Sequence, residues 1–442
     1  MKEKTHSLPS FCAYLNKGFA LRQHASNMRD ARRDPDISPA SVFLALFHSF
    51  VYRLPSLQRL ERDLTDSHLV DWIGAERAFG DDTLRYSLCG FHLAPLEDFL
   101  VDVNQRLKRG KAFDDGRVQG RVVVAIDGIE VISSFSRHCE FCSTRTVKRR
   151  ENGRMVEHTQ YFHRAVGCQV VHCDVKSFLG IEWQLSGETE VAASMRLLDR
   201  LEHSYGRRFF DIILLDALYA QSPVLDRIQQ SGWDVVISLK RNCPDLYQSA
   251  IRLFSRREPD STLTEQRGHK TYECKIWSTE GLPFANRTGL MRVVRSEEVL
   301  RRNRFRNGVR SEHCSDHEWL WITTLPEAQF SPVTIRKLGH DRWKQENNGW
   351  MDLTKHWTFK HGFIHACNHR PKTTDPEGNK TLVPNHGLDA VALIALIAFS
   401  ICSAFVLRHS KLVKLYGWPA IAVARQLEAW IWRPPPLQQD DS

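Results

Sequence analysis

The sequence predicts an α/β protein: a mixed sheet flanked by helices, with a helical amino-terminal region ahead of it and a β-rich insertion within it. Three observations predict this. Two short β-branched apolar runs, residues 121–127 and 209–215, have the length and composition of strands buried on both faces, and each leads into an aspartate, Asp127 and Asp216. Around them, three strand-like runs in succession give way to alternating helix and strand, the order of a mixed sheet with helices packed on it. Ahead of residue 108 the apolar positions recur at helical spacing instead.

The elements follow in order. Residues 1–40 are polar and punctuated, and read as poorly packed. From Ser41, the positions Val42, Leu44, Ala45, Leu46, Phe47, Phe50 and Val51 read as a helix, with shorter helices near 57–74, 82–89 and 95–107. The turn Lys108-Arg109-Gly110-Lys111 and the break Asp114-Asp115-Gly116 close this region, residues 1–117. Residues 118–240 carry the first part of the core, with strands at 121–127, 162–173, 181–186, 209–215 and 234–239 and helices over 191–205 and 222–231. Residues 241–330 form the insertion, with strands at 272–276, 290–294 and 319–324. Residues 331–412 return to the core with a helix bearing Glu346, and 413–442, with the Arg433-Pro434-Pro435-Pro436 run, read as a carboxy-terminal tail. The stretch 390–407 holds no charge and reaches the ~18 residues at which a membrane span becomes plausible. It stands alone and contains Ser400, Cys402 and Ser403, so a helix buried against the core sheet is the expectation.

Composition narrows the function classes. At 442 residues the chain has room for two or three domains, and its formal charge of +9 suits a polyanionic partner such as DNA. Eleven cysteines, an odd count spread over a long chain, fit a reducing cytoplasm better than a secreted disulfide framework. The start Met-Lys-Glu-Lys-Thr-His-Ser-Leu-Pro lacks the apolar core of an export signal, so no export and no membrane association are expected.

Aspartate is disfavoured in buried strands and costly to bury unpaired, so two of them after equivalent strands suggest a shared site neutralised by a divalent cation. With Glu346 as a third carboxylate, that is the chemistry of phosphodiester cleavage, in which two Mg²⁺ ions activate the attacking oxygen and stabilise the leaving one. Arg342, four residues before Glu346, falls on the same helix face; it either serves the site or makes an ordinary surface pair. Cys139 and Cys142 form a Cys-x-x-Cys pair, and a zinc site needs about four ligands. His138, His158, His163, Cys168, His172 and Cys173 are candidates to complete it, and reduced structural thiols are the alternative. Basic clusters at Lys148-Arg149-Arg150, Arg207-Arg208 and Arg301-Arg302-Asn303-Arg304-Phe305-Arg306 read as phosphate contacts or as solvated loop charge.

These motifs, in this order, resemble the DDE transposases of the IS4-like insertion-sequence group. The resemblance rests on Asp127-Gly128, then His138-Cys139-Glu140-Phe141-Cys142 and Tyr161-Phe162-His163, the subgroup's HCxxC and YxH signature. It continues through Asp216-Ala217-Leu218-Tyr219, Trp319-Leu320-Trp321-Ile322-Thr323-Thr324-Leu325 and Arg342-Trp343-Lys344-Gln345-Glu346-Asn347, and on to Leu353, Lys355, His361, Phe363 and His365. The helical stretch from Leu57-Gln58-Arg59-Leu60-Glu61 to Asp81-Asp82-Thr83-Leu84-Arg85 is similar as well. The sequence departs from the pattern at Gly339 and Leu353, where many relatives have Tyr and Lys.

The resemblance implies a ribonuclease H-like core in which Asp127 bridges two Mg²⁺ ions, with Mn²⁺ expected to substitute, and Asp216 and Glu346 each complete one metal site. Arg342 joins them as a catalytic candidate, and Cys139, Cys142 and His163 are the candidate ligands of a structural zinc. The implied activity is cleavage at insertion-sequence ends and strand transfer into target DNA, with terminal inverted repeats and target DNA as partners. DNA-end recognition is expected in the amino-terminal region, a structural cap on the core being the alternative there, with a homo-oligomer when assembled on DNA and a cytoplasmic, nucleoid-associated location. The alternatives are a catalytically silent, transposase-derived DNA-binding protein and a nuclease on the same core.

Overall fold

A computed structural model of the chain describes residues 7–268, 270–284, 290–306, 309–360, 364–365, 371–374, 380–408 and 420–435. His361 and Phe363 of the carboxy-terminal motif lie outside the described residues.

A helical layer is built around the helix Pro39–Tyr52. Ser38 caps it by accepting from the Ser41 amide, proline occupies its first turn, and residues 41–52 are all buried. A helix that is apolar all round belongs in a core. Its main neighbour is Gly387–Arg408, a helix long and apolar enough to cross a membrane but 83% buried over its apolar window. That helix also touches the helix Ala94–Arg109 and the strand Ser177–Trp183, so it fills the space between the helical layer and the sheet.

Two terminal expectations are corrected. The segment read as poorly packed contains the helices Leu8–Phe19 and Leu21–Ser26, and Leu8, Phe11, Leu15 and Phe19 form a buried stripe. Phe11 meets Phe405 edge-on at 4.8 Å, a partner nearly the whole chain away, which is why local polarity misled. The carboxy-terminal tail contains the helix Ala420–Trp430, tied to the helical layer by the Arg59–Glu428 ion pair at 2.9 Å and by the His68 amide donating to the Ile431 carbonyl.

Among the described residues, the sheet has ten strands: β1 Val123–Ser134, β2 Ser143–Glu151, β3 Arg154–Val170, β4 Ser177–Trp183, β5 Ile212–Leu215, β6 Asp234–Ser238, β7 Ser261–Arg267, β8 Lys270–Pro283, β9 Leu290–Arg306 and β10 Val309–Thr323. Their order is β2-β3-β1-β5-β6-β10-β9-β8-β7, with β4 paired to the inner half of β3. Within it, β4, β3 and β1 are antiparallel neighbours, and β5 and β6 run parallel to β1. This is the ribonuclease H order, with helices Glu190–Tyr205 and Ser222–Gln230 as the crossovers. The strands between residues 261 and 323 continue this sheet, because β10 pairs antiparallel with β6.

The β2–β3 hairpin is an element the sequence reading did not include. Its alternating Ser-Thr-Arg-Thr-Val-Lys-Arg-Arg-Glu has no apolar face, which hid it. Its turn was nonetheless legible: Asn152 and Gly153 both have positive φ, at 48° and 84°, the demand that makes Asn-Gly the preferred two-residue hairpin turn.

Candidate active site

Asp127 stands within β1, which runs on to Ser134, rather than at the strand end the sequence predicts. Its antiparallel partner is Gly167 on β3. On the other side, the parallel pairing of β1 with β5 stops at Ala125 and Leu214. Asp127 and Asp216 therefore occupy equivalent positions just past the last paired residues of neighbouring strands. Asp216 accepts from the Leu218 amide at 2.7 Å and caps the 3₁₀ turn Ala217–Tyr219, which fixes the direction of its carboxylate.

Glu346 reaches the same place from a segment that is not the regular helix expected. The α-helix Pro332–Asp341 ends with Arg342 as its cap, a π-helical turn spans Gln345–Trp350, and an α-helix resumes over Met351–His356. Arg342 and Glu346 are thus not a simple i,i+4 pair on one helix; π-helical turns of this kind concentrate at functional sites. The turn is docked on β3: Gln345 Nε2 donates to the Gly167 carbonyl at 2.7 Å, and Gly349 lies against the Gln169 side chain. Trp350, buried and tilted on Phe178 at 4.5 Å, covers Gly167 so closely that a Cβ there would come within 2.5 Å of the indole. Gly167 is the ladder partner of Asp127, so the docking holds the Glu346 turn beside Asp127.

Gly339 has a similar explanation. Any Cβ there would run into the Trp321 indole, so a tyrosine has no room at that position. Leu353, the other departure, is fully buried.

Charge within this cleft is unbalanced. Burial pushes the Asp127 carboxyl up to about 7; Arg342 pulls it down, and Glu190, Asp216 and Glu346 push it further up. Arg342 Nη1 lies 3.6 Å from Asp127 Oδ1, and its buried Nε has no hydrogen-bond partner.

Glu190 was missed by sequence reasoning. It opens the helix Glu190–Tyr205 behind the Thr189 cap, its carboxylate fills the space where Gly128 lacks a Cβ, and it accepts from Tyr219 Oη at 2.9 Å. The glycine directly after Asp127 was the available signal, since it permits close approach of something to the backbone. The donor set is all carboxylate oxygen, the ligand type that hard divalent cations take.

The Cys-x-x-Cys pair lies in the loop between β1 and β2. Cys139 Sγ and Cys142 Sγ are 3.8 Å apart, His163 Nε2 lies 3.2 and 3.3 Å from them, and His365 Nε2 lies 3.0 Å from Cys142 Sγ. Burial, with His365 beside it, pushes the His163 imidazole down to about 4, so it is neutral at physiological pH. The other candidates are engaged elsewhere: His138 stacks on Tyr161, His158 pairs with Glu151, His172 with Asp341, and the Cys173 thiol donates to the Val175 carbonyl, while Cys168 is buried in β3.

The basic clusters are dispersed. Lys148, Arg149 and Arg150 lie on β2, at the edge of the sheet, where Arg149 stacks over Phe135 at 3.6 Å. Arg207 and Arg208 follow the helix Glu190–Tyr205. Arg301, paired with Glu273 at 3.0 Å, lies on β9, six strand spacings from β2 and so about 30 Å away. The side chains of residues 303–306 lie outside what is described.

Residues 178–352 match the family model of the transposase DDE domain, a span that includes Glu190, Asp216, Arg342 and Glu346 and begins after Asp127. No curated protein matches the chain. Among solved structures, the piggyBac transposase synaptic complex with hairpin DNA matches at a TM-score of 0.39 and 10% identity, covering 98% of this chain and 84% of that one. Over residues 178–352, the chain is similar to a transposase DDE domain.

Proposed function

We propose that the chain is a DNA transposase of the IS4-like group that cleaves at insertion-sequence ends and joins the 3′ hydroxyl to target DNA. The observation that carries the reading is the placement of the three acids: Asp127 and Asp216 follow the last paired residues of adjacent parallel strands, and the turn bearing Glu346 is docked on β3 at Gly167, the ladder partner of Asp127. The similarity of residues 178–352 to a transposase DDE domain supports it.

Two Mg²⁺ ions, or Mn²⁺ in their place, would supply activation of the attacking oxygen and stabilisation of the leaving one. Asp127, Asp216 and Glu346 would hold the ions in this reading, and Glu190 adds a fourth carboxylate beside Gly128. Arg342 lies against Asp127, 3.6 Å from its carboxylate, and would orient that carboxylate in the site. Glycines 128, 167 and 349 let Glu190 and the Glu346 turn approach the strands closely enough to share the cleft. DNA affinity comes from the dispersed lysines and arginines and from the amino-terminal helices, and the working form is a homo-oligomer assembled on the inverted repeats at the nucleoid.

The test is a joining assay. Labelled duplexes carrying the terminal repeats of the DNA flanking the gene are incubated with protein, Mg²⁺ and a supercoiled plasmid. Label recovered in the plasmid is the expected result. Cleavage without joining identifies a nuclease on the same core, and binding without cleavage a silent DNA-binding protein; either overturns the proposal.

A further inference from the structure

We propose that Cys139, Cys142, His163 and His365 hold a structural Zn²⁺ that ties the strand carrying Asp127 to the chain leaving the Glu346 turn. This rests on the Cys–His geometry alone and does not depend on the transposase reading.

The four ligand atoms all lie within 4.8 Å of one another. A tetrahedral ion with Zn–S of about 2.3 Å and Zn–N of about 2.0–2.1 Å requires S–S edges near 3.8 Å, S–N edges near 3.6 Å and N–N edges near 3.3 Å. The Sγ–Sγ distance is 3.8 Å, and the S–N distances of 3.0–3.3 Å differ from the ideal by a fraction of an ångström. Cys142 Sγ lies within contact of both Nε2 atoms and accepts from the Cys139 amide at 3.3 Å, so its sulfur is the point on which the group converges. A thiolate there accepts from the amide while the two imidazoles and both sulfurs face one cation.

Charge and burial agree with this. Two thiolates and two neutral imidazoles make an uncharged site with Zn²⁺, which suits imidazoles that are only 6% and 3% exposed, and binding releases the two thiol protons to solvent. The site is closed by four protein ligands, the mark of a structural rather than a catalytic zinc.

Its place in the fold gives it a task. Cys139 and Cys142 sit in the loop that leaves β1, His163 pairs with Ile132 of β1 from β3, and His365 follows the helix Met351–His356 that continues the Glu346 turn. The ion would pin one end of that segment where Gln345 and Trp350 pin the other.

The test uses the full chain purified without a histidine tag. About one zinc per chain by elemental analysis is expected, and Co²⁺ exchange should give the absorption of a tetrahedral site with thiolate-to-cobalt charge transfer. His365→Ala should lose the metal on gel filtration, while His365→Cys, which restores a fourth ligand, should keep it. Folded wild-type protein that takes up neither zinc nor cobalt would overturn the proposal, as would a His365→Ala protein that holds zinc against a chelator as the wild type does. Should His365→Ala fail to fold, the cobalt spectrum of the wild type decides alone.

Discussion

Gly167→Ala is the smallest change that should disturb the candidate active site without touching a carboxylate. Its new Cβ would stand 2.5 Å from the outer ring atoms of Trp350, about 1 Å inside the ~3.5 Å at which carbon atoms pack best. Trp350 has little freedom to withdraw, being buried against Phe178 at 4.5 Å and Phe359 at 6.0 Å. Overpacking a well-filled core costs about 1–3 kcal/mol, and here the element that must yield is the turn holding Glu346. The expected result is a lower urea midpoint by circular dichroism together with slower end cleavage and unchanged DNA-end binding. Trp350→Phe removes the ring atoms that clash and carries a cost of its own. In that background Gly167→Ala should become nearly neutral, a coupling within the ~0.5–3 kcal/mol seen for residues in contact. If Gly167→Ala matches the wild type in stability and cleavage, or costs as much in the Trp350→Phe background as it does with Trp350 in place, the docking argument is wrong.

The remaining predictions concern charge. Asp127→Asn, Asp216→Asn and Glu346→Gln should each abolish cleavage and joining while end binding persists in a gel-shift assay; a Glu346→Gln protein that cleaves at the wild-type rate would sink the proposed site. Glu190→Gln should raise the Mg²⁺ concentration needed for half-maximal cleavage, and an unchanged Mg²⁺ titration would remove Glu190 from the metal-binding set. Glu298 is buried and receives hydrogen bonds from Arg336 at 2.8 and 3.1 Å and from His340 at 2.8 Å. Burial alone would raise its carboxyl, but these partners hold it down at about 2. Its folded value lies below the unfolded value of ~4.3, so its stabilisation is complete above the unfolded value and is lost as pH falls toward 2. Glu298→Gln should lower stability at neutral pH by leaving buried Arg336 with Glu265, at 3.2 Å, as its remaining carboxylate, and should flatten the acid-unfolding profile in that window. A variant with the wild-type profile would show that the network does not carry this load.

Much of the fold and of the candidate site was legible in the sequence, and the reason is that the legible parts are encoded locally. β-branched runs leading into Asp127 and Asp216 name strands and the charges beside them, because a buried strand tolerates an acid only where something answers its charge. The strand and helix order of the core, the buried helix at 387–408 and the Cys139–Cys142 pair could be read the same way, each from a window of fewer than about 25 residues. Where local signals were present but weak, as with the Asn152-Gly153 turn between two charged strands or the Leu8-to-Phe19 stripe, the element was missed.

What only the tertiary structure decided are the meetings across long stretches of chain. Nothing near Gly128 in sequence announces that Glu190 will fill the space beside it, and nothing near Gly167 announces Trp350. His365 reaches Cys142 across 223 residues, and its sequence neighbourhood reads equally well as solvent-exposed histidine. The regular helix expected around Glu346 is a π-helical turn, docked on β3 through a hydrogen bond from Gln345 and the Trp350 indole over Gly167, contacts that no local pattern announces. Periodicity records which face of an element is buried, since that depends on neighbours a few residues away. The identity of the surface it is buried against depends on how the whole chain packs, and no local pattern carries that information.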